Sequence, residues 1–459
     1  MVKRKLRILQ VSTADIRGGA EKIAWNLFTK YRERGYDSCL AVGEKRSNDP
    51  DVLILPNQEM RGRWYHFFRR LASRYQKIEA GICRETLISR LAGGLAEPGR
   101  RLEYHLGMED FRFPASSSLL TLNRNRPDIL HAHNLHGAYF DLRMLPSLSQ
   151  QVPMVITLHD AWLLSGHCAH SFDCENWKSG CGKCPDLTIY PAVQRDATHY
   201  NWLRKKKIYS QSHLYVATPS NWLMSKIEQS MLAPAIVEAR VIPNGVDLSI
   251  FHPAERHEIR EKLGIRSDVQ VLLAMGVQIR ENIWKDYHTL RLAVANLAER
   301  LEGQDILLLA LGEEAPVERI GQVEIRFIPY QEDSRAVARF CQASDIYVHS
   351  ARTDTFPTGV IEALACGTPV VATATGGIPE QIEDSQNGYL TSPGDAAGMA
   401  NRIMQLLSDH ALRQAMGAWA AERAGQKFNL DRQADTYLDW YEEVLEAQRL
   451  RHDPRQMVI

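Results

Sequence analysis

The sequence predicts an α/β chain built from two doubly wound, Rossmann-like domains, and three observations predict it. Apolar runs with the length and β-branched content of buried parallel strands recur at residues 6–11, 152–158, 271–275, 306–311 and 369–372. Segments with apolar residues at helical spacing separate them, such as Ile23, Leu27, Phe28 and Tyr31 after the first run. At 459 residues with 44% hydrophobic side chains, the chain exceeds one ordinary domain and can fill two cores.

The first strand, 6–11, leads through a loop at 15–19 into a helix over 20–34 that Gly35 closes, and 38–42 form the next strand. Gly18 and Gly19 occupy that first turn, where a missing side chain lets a ligand approach backbone amides; a βα turn also uses glycine for geometry alone. Residues 58–112 interrupt the alternation. Trp64, Phe67, Phe68, Leu71, Tyr75 and Ile78 fall at helical spacing there, and residues 58–106 hold ten Lys or Arg against five Asp or Glu. A basic, aromatic helix of this kind suits an anionic membrane surface; the alternative is an aromatic stripe packed on the domain.

The alternation resumes at residues 128–137, DILHAHNLHG, a short strand that ends among His131, His133 and His136, and the next strand ends in His159-Asp160. Sites in α/β sheets are built at such strand ends, and a neutral imidazole both donates and accepts hydrogen bonds. Cys168, Cys174, Cys181 and Cys184 follow with spacing C-x5-C-x6-C-x2-C. Four thiolates suit a structural zinc, with His167 or His170 as substitute ligands; an oxidising compartment would make them two disulfides; unliganded thiols are the third reading. A strand at 214–218 and the turn word Pro243-Asn244-Gly245-Val246-Asp247 close the first half.

The second half opens with the strand at 271–275 and a loop carrying Arg280 and Lys285, two cations that could neutralise a diphosphate or be solvated loop charges. Strands at 306–311 and 325–328 follow, with helices from 336, from 396 and over 431–448. Its most informative stretch is 344–380, read as strand, loop, helix and strand. Pro357 fits a first helical turn, Ile361, Leu364 and Ala365 share a face, and Gly367 ends the helix. The first amides of that helix, on Thr358, Gly359 and Val360, favour a bound phosphate. Glu362 lies one turn in, so its carboxylate reaches back toward the same ligand and can accept from both hydroxyls of a ribose. Asp354 places a second carboxylate in the loop, and Gly376-Gly377 makes a second close-approach turn. Read blandly, the acids are solvated groups on an ordinary βαβ unit.

This stretch resembles the retaining glycosyltransferases of family 4, which have the GT-B fold. The family pattern is Glu, seven residues, Glu, a small-residue helix, a Gly-Thr-Pro-Val-Val strand and a Gly-Gly-x-Pro-Glu turn. The sequence matches it except that Asp354 replaces the first Glu, and Pro357 stands where many members have a Gly. The resemblance extends to the Gly18-Gly19-Ala20-Glu21 loop, the His-x-His segment, the Pro-Asn-Gly-Val-Asp word and the spacing of Arg280 and Lys285, although Gly276 is not adjacent to Arg280. It implies two Rossmann-like domains around a cleft, with Asp354 and His133 at the donor sugar. Arg280, Lys285 and the amides near Gly359 fall to the diphosphate, Glu362 to the ribose, and Gly18 and Gly19 to the cleft. The cysteine segment and His159-Asp160-Ala161-Trp162 are similar to a polysaccharide-building branch, of colanic-acid type.

Lys plus Arg equals Asp plus Glu at 55 each, which gives no global pull toward nucleic acid. No apolar run reaches the ~20 residues of a membrane span, and the N-terminus lacks a signal-peptide core. The expectation is a cytoplasmic enzyme, peripheral on the inner face of the cell membrane. Residues 1–240 would form the acceptor-side domain, with inserts at 58–112 and 163–188; 241–430 the donor domain; and 431–459 a helix crossing back. By the resemblance, it moves a sugar from a UDP- or GDP-linked donor to a hydroxyl of a glycan or lipid-linked glycan with retention, and catalysis needs no cofactor. The alternatives are a nucleotide-sugar epimerase of the same fold and a non-catalytic nucleotide-sugar-binding protein.

Overall fold

The structure, a computed structural model, describes residues 5–75, 77–79, 82–84, 87–123, 125–301 and 303–451. The chain divides into two compact units. Unit 1 comprises residues 1–16, 20–217 and 225–240, and unit 2 comprises 17–19, 218–224 and 241–459. Each carries one seven-stranded sheet.

The strands of the first half are β1 (Arg7–Ala14), β2 (Asp37–Glu44), β3 (Val52–Ile54), β4 (Lys77–Glu79), β5 (Ile82–Arg84), β6 (Ile129–His133), β7 (Met154–Thr157), β8 (Leu214–Thr218) and β9 (Ile236–Val241). The sheet runs β3-β2-β1-β6-β7-β8-β9, and β4-β5 is a separate antiparallel hairpin. β1 is the topological switch, parallel to β2 on one side and β6 on the other. An Arg7–Asp128 fork fixes that central register, with Arg7 Nε 3.2 Å from Oδ2 and Nη2 3.1 Å from Oδ1. Both faces of the central strands are buried, so they read as continuous apolar runs.

The second half contributes β10 (Gln270–Met275), β11 (Ile306–Leu311), β12 (Glu318–Ile320), β13 (Val323–Ile328), β14 (Ile346–His349), β15 (Val370–Thr373) and β16 (Gly388–Thr391). They order as β12-β13-β11-β10-β14-β15-β16, parallel except for the β12/β13 edge pair. The two sheets are Rossmann-like, as the sequence predicts.

Two local readings change. Helical spacing from Trp64 to Ile78 predicts one helix, but that helix is Arg63–Arg74 and Ile78 lies in β4, because the hairpin competes for a segment too short for periodicity to decide. Of the stripe on the Arg63–Arg74 helix, Trp64 is 62% and Phe67 63% exposed, whereas Phe68 and Leu71 are half-buried. Pro357 is the N-cap of the Thr358–Ala365 helix rather than part of its first turn. Among the described residues no helix is long and apolar enough to cross a membrane.

Candidate functional site

In unit 2 the strand ends of β10 and β14 bring the sequence-predicted acid and lysine together. The loop 276–286 runs beside the loop after β14, with the Asp286 amide bonded to the Ser350 carbonyl (3.1 Å) and the Arg352 amide to the Trp284 carbonyl (3.0 Å). Lys285 Nζ then donates to Asp354 Oδ2 at 2.6 Å. The Gly376-Gly377 turn supports the acid from behind. Gly377 N donates to the Asp354 carbonyl at 3.0 Å, and a Cβ on Gly376, whose φ is +59°, would lie 1.9 Å from that same oxygen.

His349, the last residue of β14, completes this group. Its Nε2 stands 3.5 Å from Lys285 Nζ and 3.6 Å from Asp354 Oδ2, and its Nδ1 3.0 Å from the Tyr347 hydroxyl. Burial, then the Lys285 charge, lowers its pKa to about 4 against the pull of Asp354, so the ring is neutral at pH 7. Burial by itself would raise the Asp354 carboxyl, yet the Lys285 charge and the His349 hydrogen bond hold it well below the usual carboxylate range. Sequence reasoning missed His349 and Tyr347, because a buried strand end reads as core; the signal was a histidine on the last residue of a parallel strand.

The Thr358–Ala365 helix starts beside this group with no side-chain cap. Its Val360 amide is bonded to the Pro357 carbonyl at 3.3 Å, and no backbone partner is found for the Thr358 and Gly359 amides among the described residues. Gly359 is required by packing as well, since a Cβ there would meet the Tyr347 hydroxyl at 2.8 Å. Glu362 is buried at 6% exposure in the second turn, and its charge and that of Asp354 both raise the Tyr347 pKa behind burial. Arg280 is not joined to this group. It donates to Glu313 (Nε to Oε1, 2.7 Å) and lies over the Phe327 ring, 5.0 Å from its centroid. Gly18 (φ +100°) ends the turn before the first helix, which starts at Gly19, and nothing lies within 4 Å of where a Gly19 Cβ would stand.

In unit 1, His133 is 0% exposed with both ring nitrogens engaged, Nδ1 3.2 Å from His159 Nε2 and Nε2 2.9 Å from Gln10 Oε1. Burial, followed by the neighbouring imidazoles, holds His133 well below the ordinary histidine value; burial also lowers His131 to about 3 and His159 to about 4. His136 differs. Its Nε2 lies 2.6 Å from Asp160 Oδ2, and against the lowering effect of burial Asp160 and Glu21 raise its pKa. Asp160 also accepts from Asn134 Nδ2 (3.0 Å) and the Trp162 amide (2.9 Å). Behind Trp162, a fully buried Lys205 Nζ donates to Glu109 Oε1 (2.8 Å) and to the Trp162 and Ser165 carbonyls (both 3.0 Å). A lysine in the interior of a helix gave no sequence signal for this clamp.

Cys168, Cys174, Cys181 and Cys184 are free thiols. Burial pushes Cys168 up to about 11 and Cys181 up to about 12, and Cys184 Sγ lies 3.3 Å from His167 Nε2. Among the described residues no group of three or more His, Cys, Asp or Glu side chains is arranged to hold a metal ion, so this geometry lends the zinc reading no support.

The family model for glycosyl transferases group 1 matches residues 255–423, and that for glycosyltransferase family 4 matches residues 87–250. A putative colanic acid biosynthesis glycosyl transferase, WcaC of Escherichia coli K12, is 25% identical over 69% of this chain and 77% of its own length. A D-inositol 3-phosphate glycosyltransferase of Actinosynnema mirum is 32% identical over 44% of this chain and 51% of its own, so the chain spans about half the length of that relative. Among solved structures, sucrose-phosphate synthase of Thermosynechococcus elongatus has a TM-score of 0.62 at 18% identity, covering 96% of this chain and 100% of the other. Anabaena Alr3699/HepE in complex with UDP and glucose has a TM-score of 0.61 at 16% identity, covering 95% and 99%.

Proposed function

We propose, on the premise that the chain belongs to glycosyltransferase family 4, that it moves a sugar with retention of configuration from a nucleotide diphosphate donor to a hydroxyl of a glycan destined for a surface polysaccharide. The observation that carries this reading is the Lys285–Asp354 pair at adjacent strand ends of unit 2, followed by an uncapped helix N-terminus with Glu362 buried in that helix. Lys285 and the Thr358 and Gly359 amides stabilise negative charge on a departing diphosphate without a metal, Glu362 accepts from the ribose hydroxyls, and Asp354 orients the sugar. His349 is neutral and acts by fixing Lys285 and Asp354. In a front-face mechanism the departing phosphate takes the acceptor proton, so no protein base is needed. His133, enclosed as it is, supports the strand end rather than touching the sugar; Arg280 braces the loop through Glu313. UDP is the first donor nucleotide to try, because a solved structure of the same fold holds it. The polysaccharide class follows the colanic-acid relative.

The protein works at the inner face of the membrane. Helices Arg63–Arg74, Leu87–Ala96 and Pro98–His105 present Trp64, Phe67, Leu91 and Leu102 to solvent, each more than half exposed, beside exposed Arg63, Arg69, Arg70 and Arg74. Apolar side chains interleaved with arginines fit an anionic lipid surface. Flotation with phosphatidylglycerol vesicles, and its loss in 0.5 M salt, tests this part; equal flotation with neutral vesicles refutes it.

For the donor, thermal shift with UDP, GDP, ADP and their sugar conjugates is decisive. A ligand at 100 times its Kd adds about 2.7 kcal/mol of stability. One nucleotide should shift the wild type and fail to shift Glu362→Ala; absence of any shift overturns donor binding.

A further inference from the structure

One turn of unit 2, residues 376–381, holds both ends of the loop that precedes the Thr358–Ala365 helix. Its middle is a short 3-10 helix, Ile378–Glu380, which Gln381 closes. At the front of the loop the Gly377 amide donates to the Asp354 carbonyl at 3.0 Å. At the back Gln381 Nε2 donates to the Pro357 carbonyl, also at 3.0 Å. Between them Asn244 Nδ2 lies 3.5 Å from the Phe356 carbonyl. A carbonyl only accepts, so the amide nitrogen of Gln381 must face Pro357 and its Oε1 must face away. That oxygen is buried with no hydrogen-bond partner, on a residue 2% exposed. An unpaired buried acceptor destabilises the fold, and a methionine of the same length would avoid it. Packing alone therefore gives no reason for a glutamine here.

Peptide geometry supplies one. The Pro357 carbonyl and the Thr358 N–H belong to a single planar unit, and it is trans, since the cis bond among the described residues is Tyr190–Pro191. In a trans unit the C=O and N–H bonds point in opposite directions, so whatever fixes the carbonyl also aims the amide. The carbonyl is held twice, by Gln381 Nε2 and by the Val360 amide at 3.3 Å. Two donors on one oxygen polarise the unit and make the Thr358 N–H a stronger donor. Pro357, at the N-cap, gives that end of the helix no side-chain hydrogen bond. The preceding unit, Phe356–Pro357, has no N–H to aim, so the Asn244 contact bears on backbone position alone. We infer that Gln381 is a positioning residue for the donor: without touching the ligand, it turns the Pro357–Thr358 peptide so that the Thr358 N–H faces the diphosphate. The inference rests on the transferase reading and adds to it a residue outside the ligand's reach that sets the strength of diphosphate binding.

The test is isothermal titration of the full chain with UDP, and with GDP and ADP in parallel. Gln381→Met keeps the length of the side chain and removes both its donor and its orphaned oxygen. It should weaken the bound nucleotide about tenfold, the loss expected when a hydrogen bond to a charged group is misaligned, while the melting temperature of the unliganded protein stays unchanged or rises. Thr358→Pro deletes the amide itself at the first helical position, where proline suits a helix, and should weaken the same nucleotide by a similar factor. The decisive arm is the double variant. Because Gln381 acts only through that amide, Gln381→Met/Thr358→Pro should bind no more weakly than Thr358→Pro alone. An unchanged Kd in Gln381→Met, with or without a fall in melting temperature, would overturn the inference, and so would losses that multiply in the double variant. A wild type that binds none of the three nucleotides would overturn the donor reading itself, which separates that failure from the failure of Gln381 as its support.

Discussion

Lys285 and Asp354, 69 residues apart in sequence, meet at 2.6 Å through a side-chain hydrogen bond that also crosses two loops. His349 is the third member, and the helix that begins at Thr358 follows the acid in the chain. Lys285→Ala should therefore lower turnover by on the order of 10²-fold, the loss typical of removing one stabilising donor from a developing anion. Steady-state kinetics of sugar transfer would show it; a change within threefold would remove Lys285 from the chemistry.

Gly376→Ala tests the support behind the acid. A methyl group at φ +59° would have to occupy space 1.9 Å from the Asp354 carbonyl oxygen, so the loop must shift. Transfer activity should fall more than tenfold with the second unit still folded by circular dichroism, and retention of full activity would show that the turn tolerates displacement.

Three buried imidazoles make unit 1 acid-sensitive. In the folded chain His131 stays neutral to about pH 3 and His159 to about pH 4, and His133 is held well below the ordinary value. Unfolded, each takes up a proton near pH 6.5, so stability is complete above that pH and is lost as pH falls. Between pH 7.5 and 5.5 each costs about 1.4 kcal/mol, or about 4 kcal/mol for the three. Urea unfolding at the two values, repeated with His159→Gln to remove one proton from the slope, checks this; pH-independent stability contradicts it.

Lys205→Met should destabilise by about 3–5 kcal/mol, because Glu109 would remain buried without its cation. Adding Glu109→Gln should recover part of that loss. If calorimetry places the single and double variants at the same melting temperature, the clamp is not an ion pair in function.

The group around Asp354 was legible where it is local. Asp354, Thr358, Gly359, Glu362 and Gly376 all fall within one strand–helix–strand unit, so spacing alone places them around one helix end. Lys285 needed the resemblance, and its contact with Asp354 needed the strand order β10-β14 that only the folded sheet supplies. The enclosure of His133 was not legible, because alternation puts His131 and His133 on one face of β6 but does not reveal that both faces of a central parallel strand are covered. The pairing of Arg280 with Glu313 was hidden for a similar reason, as Glu313 follows a different strand. A cavity in unit 1 was invisible, since its lining residues Arg69 and Val193 are brought to it from distant parts of the chain.

Arg7 and Asp128 are bridged across 121 residues, and β1 finds its second neighbour in β6 only there. During synthesis β1 to β3 must wait for that partner, and the aromatic, arginine-rich helices emerge in the interval. Contacts of such long range slow folding and leave a strand edge open. The length of chain between β1 and β6 thus also sets how long that edge of the nascent sheet stays open.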